Sequence, residues 1–257
     1  MKRFFLALFT LLFSSNLFAS PHYATGLKVP QNWKLHARFS SGILGVDFPA
    51  KFDWKDKENL PPIKDQGQCG SCWAFASLEV QEALIAIQDK KIEALSAQEL
   101  VSCDSSSSGC SGGYFTAFEY QKQKGLTYEK DFSYKAKDIR CDVSSLSHDY
   151  RIFDWGYIGS TSQSPSVDEI KAQIFAGGPV TATVCADNRF MNYHSGIFSG
   201  NAGCQNHMIV LEGWDDSSQS WLLRNSWGIR WGEKGFMHIK YGSNSVAQIA
   251  AFAVYKH

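Results

Sequence analysis

The chain has 257 residues, of which 44% are hydrophobic, 14% aromatic and 19% charged; this composition buries a sizeable core as one large domain or two packed lobes and excludes a disordered class. Lys plus Arg and Asp plus Glu number 25 each, which gives no electrostatic footprint for nucleic acid, so no such partner is expected. The balance is uneven, because residues 1–47 hold five basic groups and one acidic, leaving 20 basic against 24 acidic over residues 48–257.

Lys2 and Arg3 precede an apolar run from Phe4 to Phe13, a polar turn at Ser14 to Asn16, and small residues at Ala19 and Ser20. That is the layout of a cleaved secretory signal over residues 1–19, too short to span a bilayer. Residues 20–47 then form a short leader before a body at 48–257. No later stretch is long and apolar enough for stable membrane insertion. Seven cysteines in an exported chain allow three bridges and leave one sulfur over. The sequence contains no Asn-x-Ser/Thr sequon, which favours a bacterial protein, periplasmic or extracellular, over a lysosome-like compartment reached by glycan-read delivery.

After Pro61, Pro62 and the turn-rich "DQGQCGS", apolar residues such as Phe75, Leu78, Ala83 and Ile85 recur at helical spacing through "CWAFASLEVQEALIAIQDKK". Ser71 is the expected N-cap, which places Cys72 in the first turn. Capping boxes are read at Ser96–Glu99 and at Ser166–Glu169, the second opening a helix that Gly177, Gly178 and Pro179 end. Beyond Pro179 the period changes to strands: "PVTATV", "HMIVLEGW", "WLLRNSW", "GFMHIKY" and "AFAVYKH". Helices followed by strands indicate an α+β fold, or two lobes with a cleft between them.

Cys69 and Cys72 form a C-x-x-C pair with three readings. A thioredoxin-like redox pair wants two exposed sulfurs in a βαβ setting, and none surrounds this motif. A zinc site wants a second ligand pair, yet Cys103 and Cys110 are seven apart with no His between them. In the third, Cys69 is structural and Cys72 is a nucleophile at a helix N-terminus, where a thiolate is stabilised. That chemistry needs a His as acid and base, a group to orient it, and donors for an oxyanion.

The blocks "DQGQCGSCWAFA", "CSGGYF", "QNHMIVLEGW" and "LLRNSWGIRWGEKGFMHIK" resemble, in order, the signature blocks of the papain-like cysteine proteases, over residues 48–257. The resemblance implies a two-lobe fold: a mainly helical N-terminal lobe, a β-barrel-like C-terminal lobe, and an active-site cleft between them. It makes Cys72 the nucleophile and His207, 135 residues on, its partner. Asn225 orients the imidazole, Trp227 shields that bond, and Gln66 donates to the oxyanion. Gly112 and Gly113 pair with substrate backbone. Tyr114, Phe115, Thr183 and Met208 line the pocket for the second residue before the cut, so an apolar preference is expected. Bridges Cys69–Cys110 and Cys103–Cys141 follow from the resemblance; parity then pairs Cys185 with Cys204 and leaves Cys72 free. The expected protein is a monomeric endopeptidase acting on proteins or peptides, with no metal and no cofactor. Its leader lacks the helical inhibitory pattern of relatives and is expected to cross the cleft as an extended strand, inhibiting in part. A thiol–disulfide oxidoreductase and a non-catalytic peptide binder are the rivals, with transpeptidation a close variant.

Overall fold

The computed structural model describes residues 22–31, 34, 39–40 and 47–256. The signal read at 1–19 and most of residues 32–46 lie outside the described residues. The elements, in chain order, are β1 (Phe39–Ser40), β2 (Lys51–Asp53), α1 (Cys72–Asp89), α2 (Ala97–Cys103), α3 (Ala117–Gln123), β3 (Asp154–Ile158), α4 (Val167–Gly177), β4 (Val180–Val184), α5 (Asn188–Met191), β5 (Ile197–Phe198), β6 (His207–Asp215), β7 (Ser220–Arg224), β8 (Phe236–Lys240) and β9 (Ala250–Val254). No described helix is long and apolar enough to cross a membrane.

Two apolar clusters divide the molecule. One gathers Trp73, Leu78, Leu84, Leu100, Phe115 and Phe118 around α1, α2 and α3. The other packs Ile174, Phe190, Trp214, Trp221, Trp231 and Met237 against the sheet. Among the described residues the sheet has nine strands, eight of them in the order β1-β3-β9-β4-β6-β7-β8-β5 and β2 paired to β6 off this path. Pairing is antiparallel except for β1 with β3 and β5 with β8. A shift in register between Leu211 and Gly213 bends β6. Its N-terminal half pairs with β4 and its C-terminal half with β2 and β7, and His207 opens the strand opposite Val184.

Two of the expected caps differ in their chemistry. Ser166 and Glu169 form the full reciprocal box. Ser96 accepts from the Glu99 N–H, but the Glu99 carboxylate turns instead to Thr127 N–H, the Tyr120 hydroxyl and His148. Ser71 occupies the N-cap position of α1, yet its side chain makes no cap hydrogen bond. Its hydroxyl lies 2.6 Å from that of Tyr134 instead.

Helix α1 is buried on every side from Cys72 to Ala86, Glu79 and Glu82 included. Lys64 reaches Glu82 at 3.0 Å, while Arg224 on β7 pairs with buried Glu212 and donates to the Pro61 carbonyl at 2.9 Å. These charges lie where the helical lobe meets the sheet. Burial outweighs Arg224 and Lys64 at Glu79 and pushes its pKa up to about 8. Folding therefore takes up a proton at Glu79 between the ordinary carboxylate value of 4.5 and about 8. Stability from this group is complete below the lower value and is lost as pH rises through the upper one. Removing the charge with Glu79→Gln is accordingly expected to raise the melting temperature relative to wild type by about 2–6 °C at pH 8. The gain should vanish near pH 5; a gap that does not change between the two would contradict this account of Glu79.

Candidate active site

Pro61, Pro62 and Gly67 keep the chain out of regular structure until Cys72 starts α1, and a disulfide from Cys69 to Cys110 ties the turn before α1 to the loop carrying Gly112 and Gly113. Cys103 is joined to Cys141, and Cys185 to Cys204. Cys72 is the one free cysteine and is fully buried. Its thiol is in hydrogen-bonding reach of backbone at Met208, next to His207, and at Gly26 of the leader.

His207 Nε2 lies 2.8 Å from Asn225 Oδ1. The same oxygen accepts from the Ser226 N–H at 2.9 Å, which fixes the amide orientation. Nε2 therefore carries the proton and Nδ1 presents its lone pair, buried and without a partner. The Trp227 ring stacks on the imidazole at 4.5 Å. Gln66 accepts from Ser226 Oγ at 2.7 Å through Oε1, so its NH₂ faces the cleft. There it donates to Ala24 O at 3.1 Å, and back to Cys69 O at 2.9 Å.

Leader residues 22–30 fill this cleft. Tyr23 stacks on Trp227 at 4.6 Å, and the Ala24 carbonyl accepts from Trp227 Nε1 at 3.1 Å as well as from Gln66. Gly113 donates to Gly26 O at 2.9 Å, Lys28 donates to Gly113 O at 2.9 Å, and Leu27 donates to Asn206 O at 3.1 Å. The pairing of Leu27 with Gly113 is parallel. Contact is close enough to dictate glycine: a Cβ on Gly26 would sit 1.8 Å from Gly70 O, and one on Gly113 would sit 2.4 Å from the Trp73 ring.

Leu27 belongs to the same apolar cluster as Tyr114, Phe115 and Met208. Thr183 pairs with Met208 across β4 and β6, and Phe115 is fully buried, edge-on to Tyr114 and Tyr157. A cavity of about 210 Å³ remains beside Lys28, Gly112 and Tyr114. Larger cavities lie away from the cleft, such as one beside Phe48, Phe52 and Phe175, because the leader occupies the cleft itself. Among the described residues no three His, Cys, Asp or Glu side chains are grouped to hold a metal ion.

Desolvation by burial pushes the Cys72 thiol up to about 11 and the His207 imidazole down to about 4, the latter against the hydrogen bond to Asn225, which raises it. Both groups are thus neutral at pH 7. The arrangement can perform Cys–His nucleophilic chemistry with an Asn-oriented base and amide donors, but only once water or substrate replaces the leader. Sequence reasoning did not single out Tyr23, Ala24, Gly26, Asn206, Ser226 or Tyr134. Only Ser226, inside the "RNSW" block, and Asn206, inside "QNHMIVLEGW", carried a signal that could have found them.

A family model described as papain family cysteine protease matches residues 48–257. Vignain of Ricinus communis is 35% identical over 214 residues, covering 80% of this chain and 58% of the relative. The oryzain beta chain of Oryza sativa subsp. japonica is 37% identical over 207 residues, covering 77% and 43%. The chain thus spans about half the length of the curated relatives it matches. Among solved structures, the Carica candamarcensis cysteine protease CMS1MS2 in complex with E-64 superposes with a TM-score of 0.75 at 30% identity, covering 82% of this chain and all of that one. Digestive procathepsin L2 from Tenebrio molitor gives 0.81 at 27% identity, covering 90% and 78%.

The tight seat of Gly26 generates a test. In Gly26→Leu the side chain has no room, so the leader is expected to leave the cleft and Cys72 to regain an ordinary thiol pKa or lower. Iodoacetamide should then label Cys72 about a hundredfold faster at pH 7 than in the unaltered chain, following the thiolate fraction. Equal labelling rates would mean that the leader does not control the thiol.

Proposed function

The chain belongs to the papain family of cysteine proteases, and from that membership we propose that it is a cysteine-type endopeptidase whose leader blocks its own cleft. The observation that carries the reading is the His207–Asn225 pair, with Nε2 committed to Oδ1 and Nδ1 left without a hydrogen-bond partner. With the leader displaced, His207 Nδ1 takes the Cys72 proton and the thiolate attacks a peptide carbonyl. The amide of Gln66 and the N–H of Cys72 receive the developing oxyanion. His207 then protonates the leaving amine, and water deprotonated by His207 hydrolyses the acyl-enzyme. Trp227 keeps solvent from the bond between His207 and Asn225.

Residues 20–47 serve in this reading as a short propeptide. Its cleft-filling segment at 22–30 supports more complete inhibition than its length suggests. The seat of Leu27 among Tyr114, Phe115 and Met208 supports an apolar preference at the second residue before the cut. Pairing of Cys69 with Cys110 speaks against an exported oxidoreductase, because Cys72 then has no sulfur partner. A catalytic group set complete within one chain supports a monomer.

Three disulfides support a secreted or lysosome-type oxidising compartment. A periplasmic or extracellular location of a bacterial protein rests on the signal-like start and the lack of a sequon; the relatives named above come from plants and an insect and lend a bacterial source no support.

The function is tested with a fluorogenic peptide carrying Leu or Phe two residues before the cut, under reducing conditions, on protein whose leader has been displaced. Cys72→Ala is expected to abolish turnover, and His207→Ala to lower kcat at least about a thousandfold. A peptide-binding relative would bind but never cleave, and hydrolysis surviving Cys72→Ala would overturn the mechanism.

A further inference from the structure

Tyr134 lies on the loop between α3 and β3, with its ring edge-on to Phe75 of α1 at 4.8 Å. Its hydroxyl donates to the backbone carbonyl of Gln66 at 2.8 Å. With that proton spent, the 2.6 Å contact to Ser71 Oγ has Ser71 as donor. One phenol thus joins both ends of the turn from residue 66 to residue 71, which explains why Ser71 forgoes a cap worth about 1 kcal/mol in comparable helices.

We propose that Tyr134 is a positioning residue, whose phenol holds the two oxyanion donors, the Gln66 amide and the Cys72 N–H, in fixed relation. The proposal rests on the protease reading above. Ser71 and Cys72 share a peptide unit, so anchoring Ser71 aims the Cys72 N–H. At the other end, the Gln66 backbone is held through its N–H to Ser226 O at 2.8 Å and through its carbonyl by Tyr134. Only the Gln66 side-chain torsions remain, and Ser226 Oγ closes those. Burial pushes the phenol up to about 12, so it stays a donor throughout the neutral range.

The test uses the Gly26→Leu chain, once its Cys72 has been shown to alkylate, as the parent for Tyr134→Phe, Ser71→Ala and the pair together. Tyr134→Phe keeps the ring and removes only the hydroxyl. It is expected to lower kcat about tenfold while KM stays within about twofold. Alkylation by iodoacetamide should also stay within about twofold, because displacement of iodide builds no oxyanion. Ser71→Ala should show a smaller loss, and the double variant should be no worse than Tyr134→Phe, since both changes cut one brace. An unchanged kcat, a change confined to KM, or a parallel fall of kcat and alkylation would each overturn the role. A parent that alkylates but cleaves no peptide would instead overturn the protease reading, and this proposal with it.

Discussion

Exclusion of water from Cys72 and His207 disfavours the charged form of both groups. The leader carries backbone rather than bulk into the cleft: Gly26 lies against Gly70 with no space for a Cβ, and the Ala24 carbonyl takes up the Gln66 amide. Polar groups of the cleft are satisfied by leader backbone, so the covering costs few orphaned hydrogen bonds. Among the described residues, His207 Nδ1 and Asn225 Nδ2 stay buried and unpartnered. That dryness pushes the Cys72 thiol up and the His207 imidazole down, which favours the neutral form of both.

The two catalytic halves come from different lobes, and their meeting depends on charges buried between them. Glu79 and Glu82 stand on the helix that Cys72 begins, whereas Glu212 and Arg224 stand on the strands that carry His207 and lead into Asn225. Arg224 adjoins Asn225 in sequence and is held by Glu212 and the Pro61 carbonyl. Polar contacts in a dry interface are costly to leave unpaired.

Much of this was legible because chemistry and chain geometry coincide at particular residues. Turn-forming residues before Cys72 and the apolar run after it placed the nucleophile at a helix start, and Pro179 marked the change to strands. Four blocks in order carried the family. Between residues 104 and 166 the reading was thin, because α3 is a single short helix and β3 a five-residue strand, too brief for periodicity to declare them. The apolar spacing of Phe75, Leu78, Ala83 and Ile85 gave no sign that Glu79 and Glu82, on the same helix, are buried by packing on all sides. Gly26 is one of 21 glycines, and nothing local distinguishes it from a loop residue. Its importance exists only against Gly70, far along the chain. Ser71 was read as a cap because its position is right; a tertiary partner, Tyr134, took its hydroxyl.

In the proposed reading, the leader silences the site by holding its two reacting groups uncharged. The most direct measurement is a pH titration of the His207 imidazole by ¹⁵N NMR, in the full chain and in Gly26→Leu. The account predicts an imidazole in the full chain that stays neutral, protonated at Nε2, until pH falls to about 4, and an imidazolium near neutral pH once the leader is displaced. An imidazolium at pH 7 beneath a seated leader would contradict it.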